Sequence, residues 1–327
     1  METMKRIKNG TYDRWVNEWI HNAGINGRNC KRMDSILGMQ SFLNAQVAIV
    51  AGSGPSLMAD LDELNAACTG ERSQAKKKAI LFAGQSNTPT LLANGIVPDF
   101  IVICDGGASI VKQIEGNILP MAHELRRWGT RFILATSVNP EIPRMLEKAR
   151  IDMLWFKYLP TITNDNPRDF ANVYAMTMGE LTPLLDFYLL QAGCVVNASA
   201  GLALAMTWND KAPKLDTIVF SGADFSYPNG VARCDVELWA KEQGRYVTQE
   251  KSKLPPDVEK FGGILTDATQ VAYRGDLQYM VQLVDAKRVA PENKGKPMGK
   301  EISFYTTADN FIADFMPIGK IGDILYE

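Results

Sequence analysis

The stretch "VAIVAGSGPSLMADLDEL" at 47–64 runs from an apolar segment through a glycine turn into a helical pattern. At the mouth of a buried strand, main-chain N–H groups and a helix dipole can hold an anion. Gly52 and Gly54 let the backbone approach a ligand with no Cβ in the way. Pro55 lacks an N–H, which costs nothing at a helix start, and Ser56 can cap the helix or bond a phosphate oxygen. Gly52, Ser53, Gly54, Pro55 and Ser56 therefore read either as a phosphate seat or as a tight connection. A dinucleotide fingerprint would need glycine where Leu57 stands, and no Gly-Lys-Ser/Thr follows, so a dehydrogenase turn and a P-loop are both excluded.

Two carboxylates occupy comparable places. Asp105 follows "FIVIC", and Asp224 follows "IVFSGA". Carboxylates at the carboxyl ends of parallel strands face the ligand crevice. If the two converge, they can hold Mg²⁺ or act as a general base and its orienting partner; otherwise they cap the next helix. Asn197 opens the small-residue run "ASAGLALAM", where its amide can read a nucleotide or simply cap a helix. Gln85 and Ser86 follow another apolar run and are placed to line the crevice.

The elements that position these residues alternate along the chain. "AQVAIVAG", "KAILFAG", "DFIVICD", "RFILATS", "DMLWFKY" and "LDTIVFSG" read as strands, with "ISFYTT" as a last short one. Helical patterns separate most of them, among them "EIPRMLEKA" and a long one in "LTDATQVAYRGDLQYMVQLVDAK". "NTPTLLANG" is a helix closed by Gly95. Short uninterrupted apolar strands between amphipathic helices imply an α/β fold, with a mostly parallel sheet covered on both faces. Residues 11–44 read as a helical extension, 159–178 as a loop or lid, "ELTPLLDFYLLQAG" as helix, and 225–263 as irregular. The expected organisation is 1–45 extension, 46–255 catalytic core and 256–327 a C-terminal α-rich segment completing the core.

Composition narrows the class. The chain has 327 residues, 46% hydrophobic, with a formal net charge of −2, so no basic footprint for nucleic acid or an anionic membrane exists. Five cysteines without C-x-x-C spacing argue against a disulfide framework or structural zinc and fit a reducing cytoplasm. The opening "METMKRIKNG" lacks an apolar signal region, and no apolar run reaches membrane-span length. Only His21 and His123 are present, which removes most multi-histidine metal sites. His123 reads as surface, Ser199 as packing and Cys104 as a small buried hydrophobe.

Taken in order, "VAGSGPSL", "LLANGIVPDFIVICDGG", "NASAGLALAM", "IVFSGADFSYPNG" and the tail "ISFYTTADNFIADFMPIGKIGDIL" resemble one superfamily. It contains the motility accessory factor (Maf) flagellin glycosyltransferases and the MptE-like 6-hydroxymethylpterin diphosphokinases. The resemblance implies a Rossmann-like, doubly wound core related to bacterial sialyltransferases. In the Maf case it implies transfer of a nonulosonic acid, pseudaminic- or legionaminic-like, from a CMP-sugar to flagellin Ser/Thr. In the MptE case it implies diphosphate transfer from ATP to a pterin alcohol with Mg²⁺. It places a phosphate on Gly52–Ser56, Asn197 in the nucleotide pocket, and Asp105 and Asp224 at the chemistry, as catalytic groups or Mg²⁺ ligands. Maf sequences commonly carry a Thr-His pair where this chain reads "VARCDVE", which moves the base role to a carboxylate. A nucleotide-binding protein without turnover is the remaining expectation.

Overall fold

A computed structural model describes residues 16–27, 45–69, 77–159, 188–190, 194–208, 215–234, 236–249 and 253–326. The apolar runs become strands β1 (Val47–Ala51), β2 (Ala79–Gly84), β3 (Phe100–Ile103), β4 (Arg131–Ala135), β5 (Met153–Leu159), β6 (Tyr188–Leu190) and β7 (Thr217–Ser221). Every residue of β1, β2 and β3 is buried, as expected of strands covered on both faces.

Among the described residues the central sheet has eight strands in the order β12-β7-β1-β2-β3-β4-β5-β6, with β12 at Ser303–Thr306. Each of its pairings is parallel. The fold is α/β with a doubly wound sheet. From β1 the chain proceeds outward through β2 to β6, and β7 returns to the other side of β1. The switch point of the topology is therefore the β7/β1 boundary, where such sheets open a crevice at their carboxyl ends.

Helices cover both faces: α1 (16–27), α2 (Leu61–Thr69), α3 (Thr88–Ala93), α4 (Ala108–Gln113), α5 (Ala122–Trp128), α6 (Glu141–Lys148), α7 (Val195–Thr207), α8 (Ala268–Val289) and α9 (Ile321–Tyr326). α7 is apolar on nearly all sides and fits between the sheet and α8. Asp267 caps the start of α8, its carboxylate accepting the Gln270 N–H at 2.8 Å. Between α4 and α5 lies a π-helical turn, Ile114–Ile118.

Within the stretch read as helical, residues 16–27 form α1, which docks on the carboxyl end of β4. Asn22 donates to the Ser137 carbonyl at 3.1 Å, and Asn26 donates to Thr136 and Val138 at 2.8 and 2.9 Å. The rest of 11–44 lies outside the described residues, as does almost all of the expected 159–178 loop.

Two expectations are corrected. "YLL" in "ELTPLLDFYLLQAG" is the strand β6, paired with Lys157–Leu159, and not helix. A short apolar run carries no period that separates a buried strand from a helix turn. The stretch 225–263 is not simply irregular. It holds the antiparallel hairpin β8 (Val236–Ala240) and β9 (Arg245–Gln249) and the strand β10 (Glu259–Phe261), which pairs with β11 (Ile264–Thr266).

Candidate active site

The glycine turn after β1 is interlocked with the end of β7. The Gly52 N–H donates to the Ser221 carbonyl and the Gly54 N–H to the Gly222 carbonyl, both at 2.7 Å. A Cβ on Gly52 would fall 2.2 Å from the Gly222 oxygen, and one on Gly54 would fall 2.3 Å from Asp224 Oδ2. Gly222 itself has φ +67°, a left-handed conformation that side chains resist. These glycines are needed for one strand end to press against another.

Asp224 is 1% exposed and sits at the start of the 3₁₀ turn Pro55–Ala59. Its carboxylate accepts the Ser56 N–H at 3.0 Å, the Ser56 hydroxyl at 2.5 Å and the Asn310 side-chain N–H at 3.2 Å. The place expected to hold a phosphate is thus filled by the protein's own anion. Of the amides at 52–56, those of Gly52, Gly54 and Ser56 are spent on protein acceptors, and Pro55 has none to give.

Asp105 stands at the end of β3, exposed, accepting the Gly107 N–H at 2.9 Å. β7 and β3 are separated by β1 and β2, so three inter-strand steps, about 14 Å, lie between the ends of the two strands that lead to Asp105 and Asp224. Asp105 bonds only within its own turn and Asp224 only to Ser56 and Asn310, so the two carboxylates share no partner among the described residues. Among the described residues no cluster of three metal-ligating side chains occurs.

The carboxylate that does lie near Asp224 is Asp60, which follows the 3₁₀ turn. It accepts hydroxyl hydrogen bonds from Ser221, at 2.6 Å, and from Thr307, joining the ends of β1, β7 and β12. Burial pushes the Asp60 carboxyl up. The Ser221 and Thr307 hydroxyls oppose that rise, and the charges of Glu63 and Asp224 add to it.

Asn197 is fully buried between α7 and α8, donating to the Tyr273 carbonyl at 2.8 Å. It lines neither of the two cavities described below. His123 is exposed, as expected, and Ser199 is buried in packing. Cys104 is only partly buried.

Among the described residues, cavities open at the carboxyl edge in two places that bear on the site. The wider, about 480 Å³, lies between the loop after β7 and the β10–β11 hairpin and includes Tyr227, Asn229, Lys260 and Asn310. Two of its polar groups are already engaged: the Tyr227 hydroxyl donates to Asp267, and Asn310 to Asp224.

The narrower cavity, about 70 Å³, lies beyond the ends of β1 and β2, beside the β8–β9 hairpin. Ser53, Gln85 and Ser86 meet there, and the two serine hydroxyls are 3.1 Å apart. Opposite them stand Arg233 and Glu237, from the "VARCDVE" stretch that lacks the Thr-His pair. The Arg233 guanidinium is exposed and makes no ion pair among the described residues. Glu237 Oε1 accepts the Thr248 hydroxyl at 2.8 Å. The Ser53 carbonyl accepts the Cys234 N–H at 2.8 Å, tying this stretch to the glycine turn.

The pocket has a designed wall. Asn117, in the π turn, accepts the Trp239 N–H through its side chain at 3.3 Å and the Tyr246 hydroxyl through its carbonyl. Trp239 and Tyr246 face each other across the hairpin, edge to face, with centroids 5.2 Å apart. π turns inside helices concentrate at functional sites. Arg233 and Glu237 were missed as site residues from sequence, although the departure that flagged their stretch was visible.

A family model described as 6-hydroxymethylpterin diphosphokinase MptE-like matches residues 25–230. No curated protein matches the chain. A solved structure, that of the MAf glycosyltransferase from Magnetospirillum magneticum AMB-1, is similar over 95% of this chain at 16% identity and a TM-score of 0.47. The match covers 41% of that protein's chain.

Proposed function

The chain belongs to the MptE-like family, and from that premise we propose that it is a transferase whose nucleotide donor sits in the pocket beside β8–β9. The observation that carries this is the convergence of two hydroxyls, a cation and a carboxylate in that pocket: Ser53, Ser86, Arg233 and Glu237. A guanidinium and hydroxyls are suited to phosphate oxygens. Charge that develops on a departing phosphate is stabilised by donors already in place.

The favoured reaction is Maf-type glycosyl transfer, moving a nonulosonic acid from a CMP-sugar to a Ser/Thr hydroxyl of flagellin. The acceptor oxygen forms a bond to the anomeric carbon. The bond from that carbon to the phosphate oxygen breaks, and CMP leaves with the electron pair beside Arg233. The acceptor proton passes to Glu237, which supplies the carboxylate base that the missing histidine calls for. Asp224, buried and saturated with donors, shapes the turn; it takes no proton in this scheme.

The family's own description favours a second reading, diphosphate transfer from ATP to a 6-hydroxymethyl-dihydropterin. The carboxylates first named for Mg²⁺ stand on strands three steps apart and Asp224 is engaged by protein donors, so no step is assigned to a metal. Incubation with CMP-sugar and flagellin, read by intact mass, tests the first reading: a mass gain equal to one sugar, lost in Glu237→Gln, is expected. Pterin-dependent AMP release from ATP, with no mass gain on flagellin, would replace it with the second. Nucleotide binding without turnover on either pair would leave a binding protein.

A further inference from the structure

The Glu237 carboxylate is held at one oxygen and free at the other. Its Oε1 accepts the Thr248 hydroxyl at 2.8 Å. Its Oε2 makes no hydrogen bond or ion pair among the described residues and is open to solvent. Arg233 lines the same pocket and makes no ion pair with it. The terminal torsion of a glutamate is broad and two-fold, so a single rotation exchanges the two oxygens. A donor fixed on one of them stops that exchange.

The fold sets Thr248 where it can do this. Thr248 on β9 stands directly opposite Glu237 on β8. The two side chains therefore leave the same face of the hairpin, about 5 Å apart at Cβ. The next pair on that face is Trp239 and Tyr246, and both are tied to Asn117 in the π turn. These bonds pin the register, and a slip by one residue would turn Glu237 to the opposite face. Threonine is branched at Cβ and stiff at its first torsion, so its hydroxyl is a well-placed donor. Thr248 is exposed, and its hydroxyl bonds nothing else among the described residues.

We propose that Thr248 is a positioning residue for the transfer: it fixes the Glu237 carboxylate so that Oε2 is the oxygen that takes the acceptor proton. This rests on the reading of Glu237 as the base. The test follows sugar transfer from CMP-sugar to flagellin in the wild type, Thr248→Val, Thr248→Ser and Glu237→Gln, with calorimetry of CMP and thermal unfolding of each. Thr248→Val keeps the shape and removes the donor, so kcat should fall about tenfold or more. KM for the CMP-sugar and CMP affinity should stay within about twofold of wild type, because binding is untouched. The unfolding midpoint should not move, because the position is exposed. Thr248→Ser keeps the hydroxyl and should bring kcat back to within about threefold of wild type. Transfer lost in Glu237→Gln but unchanged in Thr248→Val would overturn the positioning role and leave Glu237 as the base. A loss in the valine variant that serine does not restore, or that comes with weaker CMP binding or a lower midpoint, would mark Thr248 as structural and overturn the role. No transfer by the wild type would overturn the base reading and the role together. Thr248→Ala carries the test if the valine variant fails to fold.

Discussion

On one side of the glycine turn the polar groups close on one another; on the other, several are left without a partner among the described residues. Toward β7, Gly52, Gly54, Ser56 and Asp224 form a closed set of hydrogen bonds. Toward the β8–β9 hairpin, Gln85 and Gln113 have unbonded oxygens, and Arg233 has no ion pair among the described residues. Folding stability favours the first arrangement, because a buried polar group without a partner is costly. The second lowers stability unless something binds. The difference separates a structural clamp from a binding surface within one short stretch of chain.

The comparison predicts that damage on the two sides will be of different kinds. Asp224→Ala strips three donors of their acceptor and should cost about 3–5 kcal/mol, seen as a large drop in the unfolding midpoint in denaturant. Gly54→Ala drives a methyl to 2.3 Å from the Asp224 carboxylate and should cost about 2–3 kcal/mol by the same measurement. A small change in either variant would break the clamp side of the comparison. On the other side, Arg233→Ala should leave stability within about 0.5 kcal/mol and weaken CMP binding about tenfold, read by calorimetry.

The smallest effect concerns Asp60. Its folded carboxyl is raised above the ordinary value of 3.8, mainly by burial, so the ionised form is the disfavoured one in the fold. The folded state thus binds its proton more tightly than the unfolded state does. The cost of ionising it is absent below about pH 3.8 and grows as pH rises through the folded value. Asp60→Asn removes that cost. The variant's stability relative to wild type should therefore improve slightly from pH 4 to pH 7. A relative loss over that interval would mean the ionised carboxylate is favoured in the fold.

The sequence made the sheet readable because strands buried on both faces need uninterrupted apolar residues, as in "VAIVA", "AILFAG" and "TIVFS". β6 and the β8–β9 hairpin escaped because three residues hold no period, and hairpin residues 237–240 and 245–248 are exposed or only partly buried, without a clean apolar alternation. At the site, Ser53, Gln85 and Ser86 were legible from their place at strand ends. What approaches the glycines was not. A Gly-Ser-Gly run reports that something comes close; here that is Gly222 and Asp224. Arg233 and Glu237 reach the pocket only through tertiary folding of a segment with no period of its own.

A crystal structure with CMP bound tests the central claim most directly. The account predicts the phosphate beside Arg233 and the Ser53 and Ser86 hydroxyls, with the Asp224 carboxylate still on Ser56. A phosphate on the amides of Gly54 and Ser56, with Asp224 swung away, would contradict it.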